Sequence, residues 1–162
     1  MKRSAELAPL SRDHHIALEV ALRLRRATPE TLEQAVERFL DFWNQQGRHH
    51  FVIEERLVLP ALSDDDAEWS AATRRVRDEH AEIRNRAAAL PGAPSLDAAR
   101  GLGELLGAHV RYEERQLFPL LEARLPQEAL AALGRALISA EAVDRDVAPV
   151  EQNSSDIQRR RS

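Results

Sequence analysis

A long, mostly apolar stripe in the first half of the chain restricts the fold more than any other feature. Its members recur at alternating steps of three and four: Leu32, Val36, Phe39, Trp43, Gln46, His50, Ile53 and Leu57. That spacing places them on one side of a single α-helix. Thr28, Pro29 and Glu30 predict its start, and Pro60 predicts its end near Leu59. Other elements must cover such a stripe, so it favours a helical bundle.

The rest of the chain carries signals for four further helices. Their starts are predicted at Ser11, at the acids Asp64 to Asp66, at Leu96 and at Pro126, with Leu7 and Leu10 as an alternative earlier start of the first helix. Their ends are predicted near Arg26, Leu90 and Val143, and Pro119 is predicted to kink or end the fourth helix. Alternating apolar runs joined by hairpin turns are missing. We therefore expect an all-α fold, an antiparallel up-down four-helix bundle with an additional C-terminal helix. Residues 1–150 are predicted to form one domain, and residues 151–162 a polar, disordered tail.

The composition excludes several classes of protein. With 162 residues, 43% of them hydrophobic and 31% charged, the chain matches a single soluble domain. A net charge of −4 with both signs interspersed argues against nucleic acid as a partner. The absence of cysteine excludes disulfides, thiolate metal ligands and cysteine catalysis. No apolar run suits a signal peptide or a membrane span, so a cytoplasmic location without membrane contact is expected.

One polar pattern occurs twice, as HHFVIEERLVLPAL from His49 and as AHVRYEERQLFPLL from Ala108. The copies share a histidine, a Glu-Glu-Arg block, a proline and a leucine, while the positions between them differ. A repeat that served packing alone would keep its apolar positions and change its polar ones. This repeat therefore indicates that its polar residues have a chemical role.

Helical geometry pairs each repeated histidine with the first glutamate of its block. Residues four apart in an α-helix are separated by about 40° around the axis. Glu54 therefore lies beside His50, and Glu113 beside His109. The second glutamates of the blocks, at positions 55 and 114, are rotated by about 140° from the histidine and are predicted to face the flank or the solvent.

The first and third helices each offer a histidine on their apolar side. His80 shares a side with Val76, Ile83 and Ala87. On the first helix, His14 lies near the centre of the apolar face and His15 lies at its edge. The similarity of RDHH from Arg12 to RDEH from Arg77 favours His15 instead. We favour His14 from its place on the face, with His15 as the alternative.

Six side chains are thus predicted to converge in the core: His14, His50, His80, His109, Glu54 and Glu113. Imidazoles and carboxylates without thiolate suit two metal ions, iron first, with manganese or zinc as alternatives. Two bridging carboxylates would leave two histidines for each ion. Without metal, the core would bury two carboxylates at a cost of several kcal/mol each if unpaired. Acids near the histidines, Asp13, Asp78 and Glu79, are candidates to orient an imidazole by accepting its N–H.

The chain resembles the hemerythrin-like (HHE cation-binding) domains. The resemblance rests on SRDHH from Ser11, HHFVIEERLVLP from His49, RDEHAEI from Arg77 and AHVRYEERQLFP from Ala108, and it extends over nearly the whole chain. It implies two non-haem irons with an oxo or hydroxo bridge inside a four-helix bundle. It also implies a small ligand such as oxygen, nitric oxide or peroxide.

The resemblance implies a function at the level of the family. Oxygen-carrying hemerythrins have a second histidine one turn from the third-helix ligand, where this chain has Val76 and Arg84. The chain is therefore expected among the members with four histidines and two glutamates. The leading interpretation is a di-iron protein that senses or handles a small oxidant or diatomic ligand. The alternatives are an enzyme-like role in nitric oxide reduction, iron oxidation or iron–sulfur repair, and a metal-stabilised helical interaction module.

Overall fold

The computed structural model describes residues 4–62 and 65–146, with the side chains up to residue 142. Within these ranges the chain is helical and has no β-strand, which confirms the predicted all-α class. The α-helices in this part of the chain are α1 (Ala8–Arg25), α2 (Leu32–Phe42), α3 (Arg48–Ile53), α4 (Ala67–Ala89), α5 (Leu96–Tyr112), α6 (Phe118–Arg124) and α7 (Gln127–Asp146). None of these described helices is long and apolar enough to span a bilayer. The predicted tail, residues 151–162, lies outside the described residues.

Wide π turns join some of these helices into longer rods. Trp43–Gly47 connects α2 to α3, Glu54–Val58 follows α3, and Glu113–Leu117 connects α5 to α6. The second rod thus runs from residue 32 to the 3-10 turn Leu59–Ala61, and the fourth from residue 96 to residue 124. α1 and α4 are the first and third rods.

Two of the π turns begin at the first glutamate of each repeated block. The Glu54 carbonyl accepts the N–H of Leu59, five residues on, and the Glu113 carbonyl accepts the N–H of Phe118. A proline follows each of these bonds and has no N–H with which to continue an α-helical ladder. We attribute the widened turns to these prolines. The second rod ends here as predicted, whereas the fourth continues beyond Pro119 to Arg124, so this proline does not end the rod.

Two predicted helix caps are wrong, although the alternative earlier start of the first helix agrees with α1. Ser11 lies inside α1, and its hydroxyl donates to the Glu114 carboxylate over 2.7 Å instead of capping a helix. The second rod begins at Leu32, because the N–H of Thr28 bonds to the Thr31 hydroxyl over 2.9 Å and the chain makes a turn there. In both places the sequence contains good capping residues, and longer-range or turn contacts use their side chains instead.

The starts of α4 and α5 agree with the sequence. The Asp66 carboxylate accepts the N–H groups of Glu68 and Trp69, and the Ser95 hydroxyl accepts the N–H of Ala98. These bonds satisfy donors that a helix cannot pair internally.

Two clusters of buried apolar residues fill the interior. Cluster 1 contains Phe39, Trp43, Phe51, Leu102 and Leu106 among others, from all four rods. Cluster 2 gathers the opposite ends of the rods with α7: Leu7, Leu10, Val58, Trp69, Leu117, Leu130, Leu133 and Leu137 among others. Along every rod, the predicted site residues fall where the chain passes from one cluster to the other. A polar layer therefore lies between two apolar blocks.

Candidate metal centre

The structure brings the six predicted side chains together in this polar layer. Their exposed fractions are 0% for Glu54, His80, His109 and Glu113, 2% for His14 and 6% for His50. His15 is exposed, with its Nδ1 2.7 Å from the Ser11 carbonyl oxygen. Of the two first-helix candidates, the structure thus places only His14 in the cluster.

The inward atoms form two overlapping donor sets. The first subsite consists of His14 and His50 with both glutamates, and the second of His80 and His109 with the same glutamates. Within each set the donor atoms lie within 4.8 Å of one another. This is the separation expected of groups that could surround one cation each.

Each glutamate turns one oxygen toward each subsite. Glu54 Oε1 lies 3.2 Å from the Nε2 of His50, and Glu54 Oε2 lies 3.3 Å from the Nε2 of His80. Glu113 Oε2 lies 3.2 Å from the Nε2 of His14, and Glu113 Oε1 lies 3.3 Å from the Nε2 of His109. A carboxylate that spans two donor sets in this way has the arrangement of a bridging ligand.

The buried polar atoms of the centre fit a metal better than they fit one another. All four carboxylate oxygens of Glu54 and Glu113, and the Nε2 atoms of His80 and His109, have no hydrogen-bond partner within the described part of the chain. Buried polar groups are nearly always hydrogen-bonded, and a buried unpaired carboxylate is costly. Cations between the imidazoles and the carboxylates would satisfy these atoms together.

Four more carboxylates hold the outer nitrogens of the histidines. The Nδ1 atoms pair as His14 with Glu114 at 2.7 Å, His50 with Asp13 at 3.1 Å, His80 with Glu55 at 2.8 Å and His109 with Glu79 at 2.9 Å. A hydrogen on Nδ1 donates to the carboxylate and leaves the Nε2 lone pair directed into the centre. All four imidazoles are therefore oriented for metal binding.

The helical angle alone predicts that the second glutamates of the repeat face the flank or the solvent. In the structure they are only partly exposed. The side chains of Glu55 and Glu114 are 29% and 27% exposed, and each binds a histidine of another rod. Asp13 and Glu79 orient imidazoles as the sequence suggested, whereas Asp78 is exposed. One sequence signal relates the two halves of the centre. An acid directly precedes both His14 and His80, which favours His14 as the equivalent of His80 in the first helix.

The same contacts shift the pKa values of the metal-free centre. Burial by itself lowers the pKa of His50, but the charge of Glu54 and the hydrogen bond to Asp13 outweigh it and raise the pKa to about 9. Burial is outweighed in the same way at His14 and His109, whose pKa values are also raised. Burial would raise the pKa of Glu54, yet the His50 charge and the imidazole contacts hold it well below its ordinary value. Protons therefore compete with metal for this site.

Aromatic and cationic side chains cover the second subsite. The Phe51 ring stacks on His80 with centroids 3.7 Å apart, and Trp43 packs edge-on against Phe51.

The Arg84 guanidinium binds both carboxylate oxygens of Glu55, at 2.7 and 3.1 Å. Burial raises the pKa of Glu55, but Arg84 and His80 outweigh it and lower the pKa. Glu55 is therefore a carboxylate with two fixed partners.

A small cavity of about 10 Å³ borders the first subsite. Its lining includes His14, His50, Trp43, Gly47 and Phe51 and is mostly apolar. A Cβ atom at Gly47 would lie 2.7 Å from the Trp43 side chain, so only glycine allows this tryptophan to pack there. The volume is close to the minimum that one water molecule needs.

One family model matches the chain, and it describes the Hemerythrin HHE cation binding domain over residues 7–121. No curated protein sequence and no solved structure gives a significant match. The matched range includes all six inward-facing residues and all four outer carboxylates. It extends over well more than half of the chain, from the turn before α1 into α6. The chain therefore belongs to the hemerythrin HHE cation-binding domain family.

Proposed function

We propose that the chain holds two non-haem iron ions and uses them to sense or handle a small oxidant or diatomic ligand, such as oxygen, peroxide or nitric oxide. One observation carries the proposal: Glu54 and Glu113 each direct one buried, unbonded oxygen into each of two donor sets. A single ion would leave one set of carboxylate oxygens unpaired. Two ions satisfy both sets.

Each protein group has a defined role in this proposal. His14 and His50 hold one ion, His80 and His109 hold the other, and the two glutamates join them. Imidazole and carboxylate donors without thiolate suit iron, and the family is described as cation-binding. When bound, the irons supply one-electron redox chemistry and a coordination position for a small ligand. The apolar clusters on both sides keep bulk water away from the centre.

We also propose that the four rods alternate in direction, as in an up-down bundle. Along α1 and α4 the chain passes from cluster 2 to cluster 1, and along the second and fourth rods it passes from cluster 1 to cluster 2. Short connections at residues 26–31 and 90–95 agree with antiparallel neighbours.

The cavity beside His14 and His50 favours a ligand of very few atoms. Its lining is mostly apolar, and its volume suits a diatomic molecule only after a small displacement of the surrounding side chains. A larger organic substrate would have to displace Trp43 or Phe51, both of which are buried in cluster 1. The geometry therefore supports a ligand of the size of oxygen or nitric oxide.

Metal analysis and spectroscopy of protein purified without a metal-affinity step test the proposal. We expect two irons per chain, and a visible spectrum that changes when the reduced protein meets oxygen or nitric oxide. A single change per ligand supports sensing, whereas repeated consumption of the ligand supports an enzyme. A chain that binds fewer than two metal ions, or whose spectrum ignores all three ligands, contradicts the proposal.

A further inference from the structure

An open groove of about 610 Å³ lies at the surface between α4 and the fourth rod, apart from the candidate metal centre. Both elements contribute apolar and aromatic side chains to its lining: Ala71, Ala72, Tyr112, Pro119 and Leu120. Pockets that bind small molecules have volumes of about 300 to 1,000 Å³ and a mostly apolar lining with a few polar groups. The groove therefore has the size and the lining for a small molecule with an apolar body.

Arg75 is fixed in this groove by two contacts that leave its terminal amino groups available. Its Nε donates to Glu79 over 2.8 Å, and its guanidinium carbon lies 3.7 Å from the centroid of the Tyr112 ring. Within the described residues, these contacts use one N–H and one face of the guanidinium. The two terminal amino groups form the planar pair of donors that binds a carboxylate through both of its oxygens.

The other polar groups of the groove restrict the charge of a ligand. The Tyr112 hydroxyl and the Gln116 amide line the groove and offer further donors. Glu79 already balances part of the Arg75 charge, and Glu68 places a second carboxylate in the lining, paired with Arg124 over 2.7 Å. One additional negative charge at Arg75 is therefore favoured over two, because the second would meet the repulsion of these carboxylates.

We propose that this groove binds a small organic carboxylate, whose two oxygens accept hydrogen bonds from Arg75 and whose apolar body lies against Ala72 and Leu120. The paired donors select the carboxylate, the neighbouring acids select a single charge, and the apolar walls select the body of the molecule. The site is separate from the proposed metal centre, so we expect it to bind its ligand with or without metal.

A purely structural role for Arg75 predicts a different result. Glu79 also accepts the Nδ1 hydrogen of His109, so Arg75 could serve only to hold this carboxylate in place. In that case a substitution of Arg75 changes the metal content of the protein, and no carboxylate binds in the groove. Direct measurement of carboxylate binding therefore distinguishes a ligand site from a structural contact.

NMR titration of the full chain with matched probes tests the proposal. Benzoate supplies one charge and an apolar ring, benzamide lacks the charge, acetate lacks the ring, and phenylphosphonate carries a larger charge. We expect benzoate to shift the Nε–H signal of Arg75, and each of the other three to bind at least about tenfold more weakly, as loss of one hydrogen bond to a charged group predicts. A chain that does not bind benzoate, or that binds any other probe as tightly, overturns the proposal.

Two variants locate the binding site in the groove. Arg75→Gln removes the paired donors and should weaken benzoate binding at least about tenfold. Arg86→Gln is the matched control, because Arg86 lies on the same helix, donates from Nε to Glu82 over 2.7 Å and does not line the groove, and it should bind benzoate like the parent. Ala71→Glu adds a negative charge at an exposed position of the lining, and it should prevent binding while Arg75 stays in place. Benzoate affinity that Ala71→Glu leaves unchanged overturns the assignment to this groove, even if Arg75→Gln does not fold.

A second copy of the chain is the alternative occupant of the groove. Gel filtration over a range of protein concentrations detects it. We expect the elution volume of the parent to match that of Ala71→Glu at every concentration. Self-association of the parent that benzoate leaves intact and Ala71→Glu abolishes would assign the groove to a protein interface and overturn the proposal.

Discussion

The Nδ1 atom of His80 lies 2.8 Å from Glu55, while the Nε2 atom of the same ring lies 3.3 Å from Glu54. Two consecutive glutamates of one rod thus face the two nitrogens of an imidazole from another rod, and the outer glutamate forms a hydrogen bond. Glu113 and Glu114 hold His14 in the same way, at 3.2 and 2.7 Å. The repeated Glu-Glu pair therefore has the same arrangement twice: the inner carboxylate lies between the two donor sets, and the outer carboxylate binds a histidine ring.

Loss of an inner glutamate should remove most of the bound metal. Glu54→Ala or Glu113→Ala deletes one donor oxygen from each subsite at once, so both ions lose affinity. We expect the variants to retain at most one ion per chain, as measured by elemental analysis after gel filtration. Glu104→Ala changes an exposed glutamate of α5 and should keep the parent's metal content. A Glu54→Ala/Glu113→Ala protein with two tightly bound ions would refute the assignment.

Loss of an outer glutamate should weaken binding without abolishing it. Glu55→Ala removes the acceptor for His80 Nδ1 and frees the ring to rotate or to change tautomer. We expect a loss of about 10- to 100-fold in metal affinity, by competition with a chelator of known affinity. Glu82→Ala, which breaks only an exposed pair with Arg86, serves as the control. Equal affinities for the Glu55→Ala and Glu82→Ala proteins would show that the outer carboxylate has no influence.

The two histidines of the first helix should behave differently. His14→Ala removes a buried donor of the first subsite, and we expect lower metal content and an altered visible spectrum. His15→Ala removes an exposed ring whose Nδ1 contacts only a backbone carbonyl within the described chain, and we expect no change in either measurement. The reverse result would move the ligand by one position and rotate the first helix by about 100°.

The metal-free protein should lose stability as the pH rises from about 6.5 to about 9. The pKa of His50 is about 9 in the folded chain, above its ordinary value of 6.5. A raised pKa stabilises the fold fully below the unfolded value, and the contribution disappears as the pH passes the folded one. We expect the free energy of unfolding in chelator to fall by on the order of a few kcal/mol over this window.

Metal should reverse that dependence. The affinity of the centre for metal rises over the same pH range, because the metal no longer has to displace protons from the imidazoles. Chelation should therefore lower the melting temperature more at pH 9 than at pH 6, as seen by calorimetry with and without iron. A melting temperature of the chelated protein that does not change between pH 6 and pH 9 would argue that the histidines stay neutral in the empty centre.

The burial of the inner residues could be predicted because helical periodicity places them on the apolar faces of their helices. His50 and Glu54 are one turn apart on the same face of their rod. Because that face is buried, both side chains point into the core. The class of fold and the end of the second rod at Pro60 follow from equally local rules. These are features in which neighbours in sequence are also neighbours in space.

The outer carboxylates could not be placed in this way, because each one binds a histidine on another rod. Glu55 reaches His80 and Asp13 reaches His50, and the relative rotation of two helices is not encoded in the periodicity of either. The same limit explains Ser11, which looks like a helix cap by itself and is instead a partner of Glu114. Pairings between rods depend on packing, which a single sequence does not reveal.

The line from His80 through Glu55 to Arg84 also connects the interior with the surface. His80 is fully buried, and the Arg84 side chain is 36% exposed, yet only two hydrogen bonds separate them. A change of charge in the buried centre alters the strength of the hydrogen bond between His80 and Glu55. That change in turn alters the ion pair between Glu55 and the Arg84 guanidinium. The surface at Arg84 is therefore coupled to the charge of the centre while the bundle stays closed.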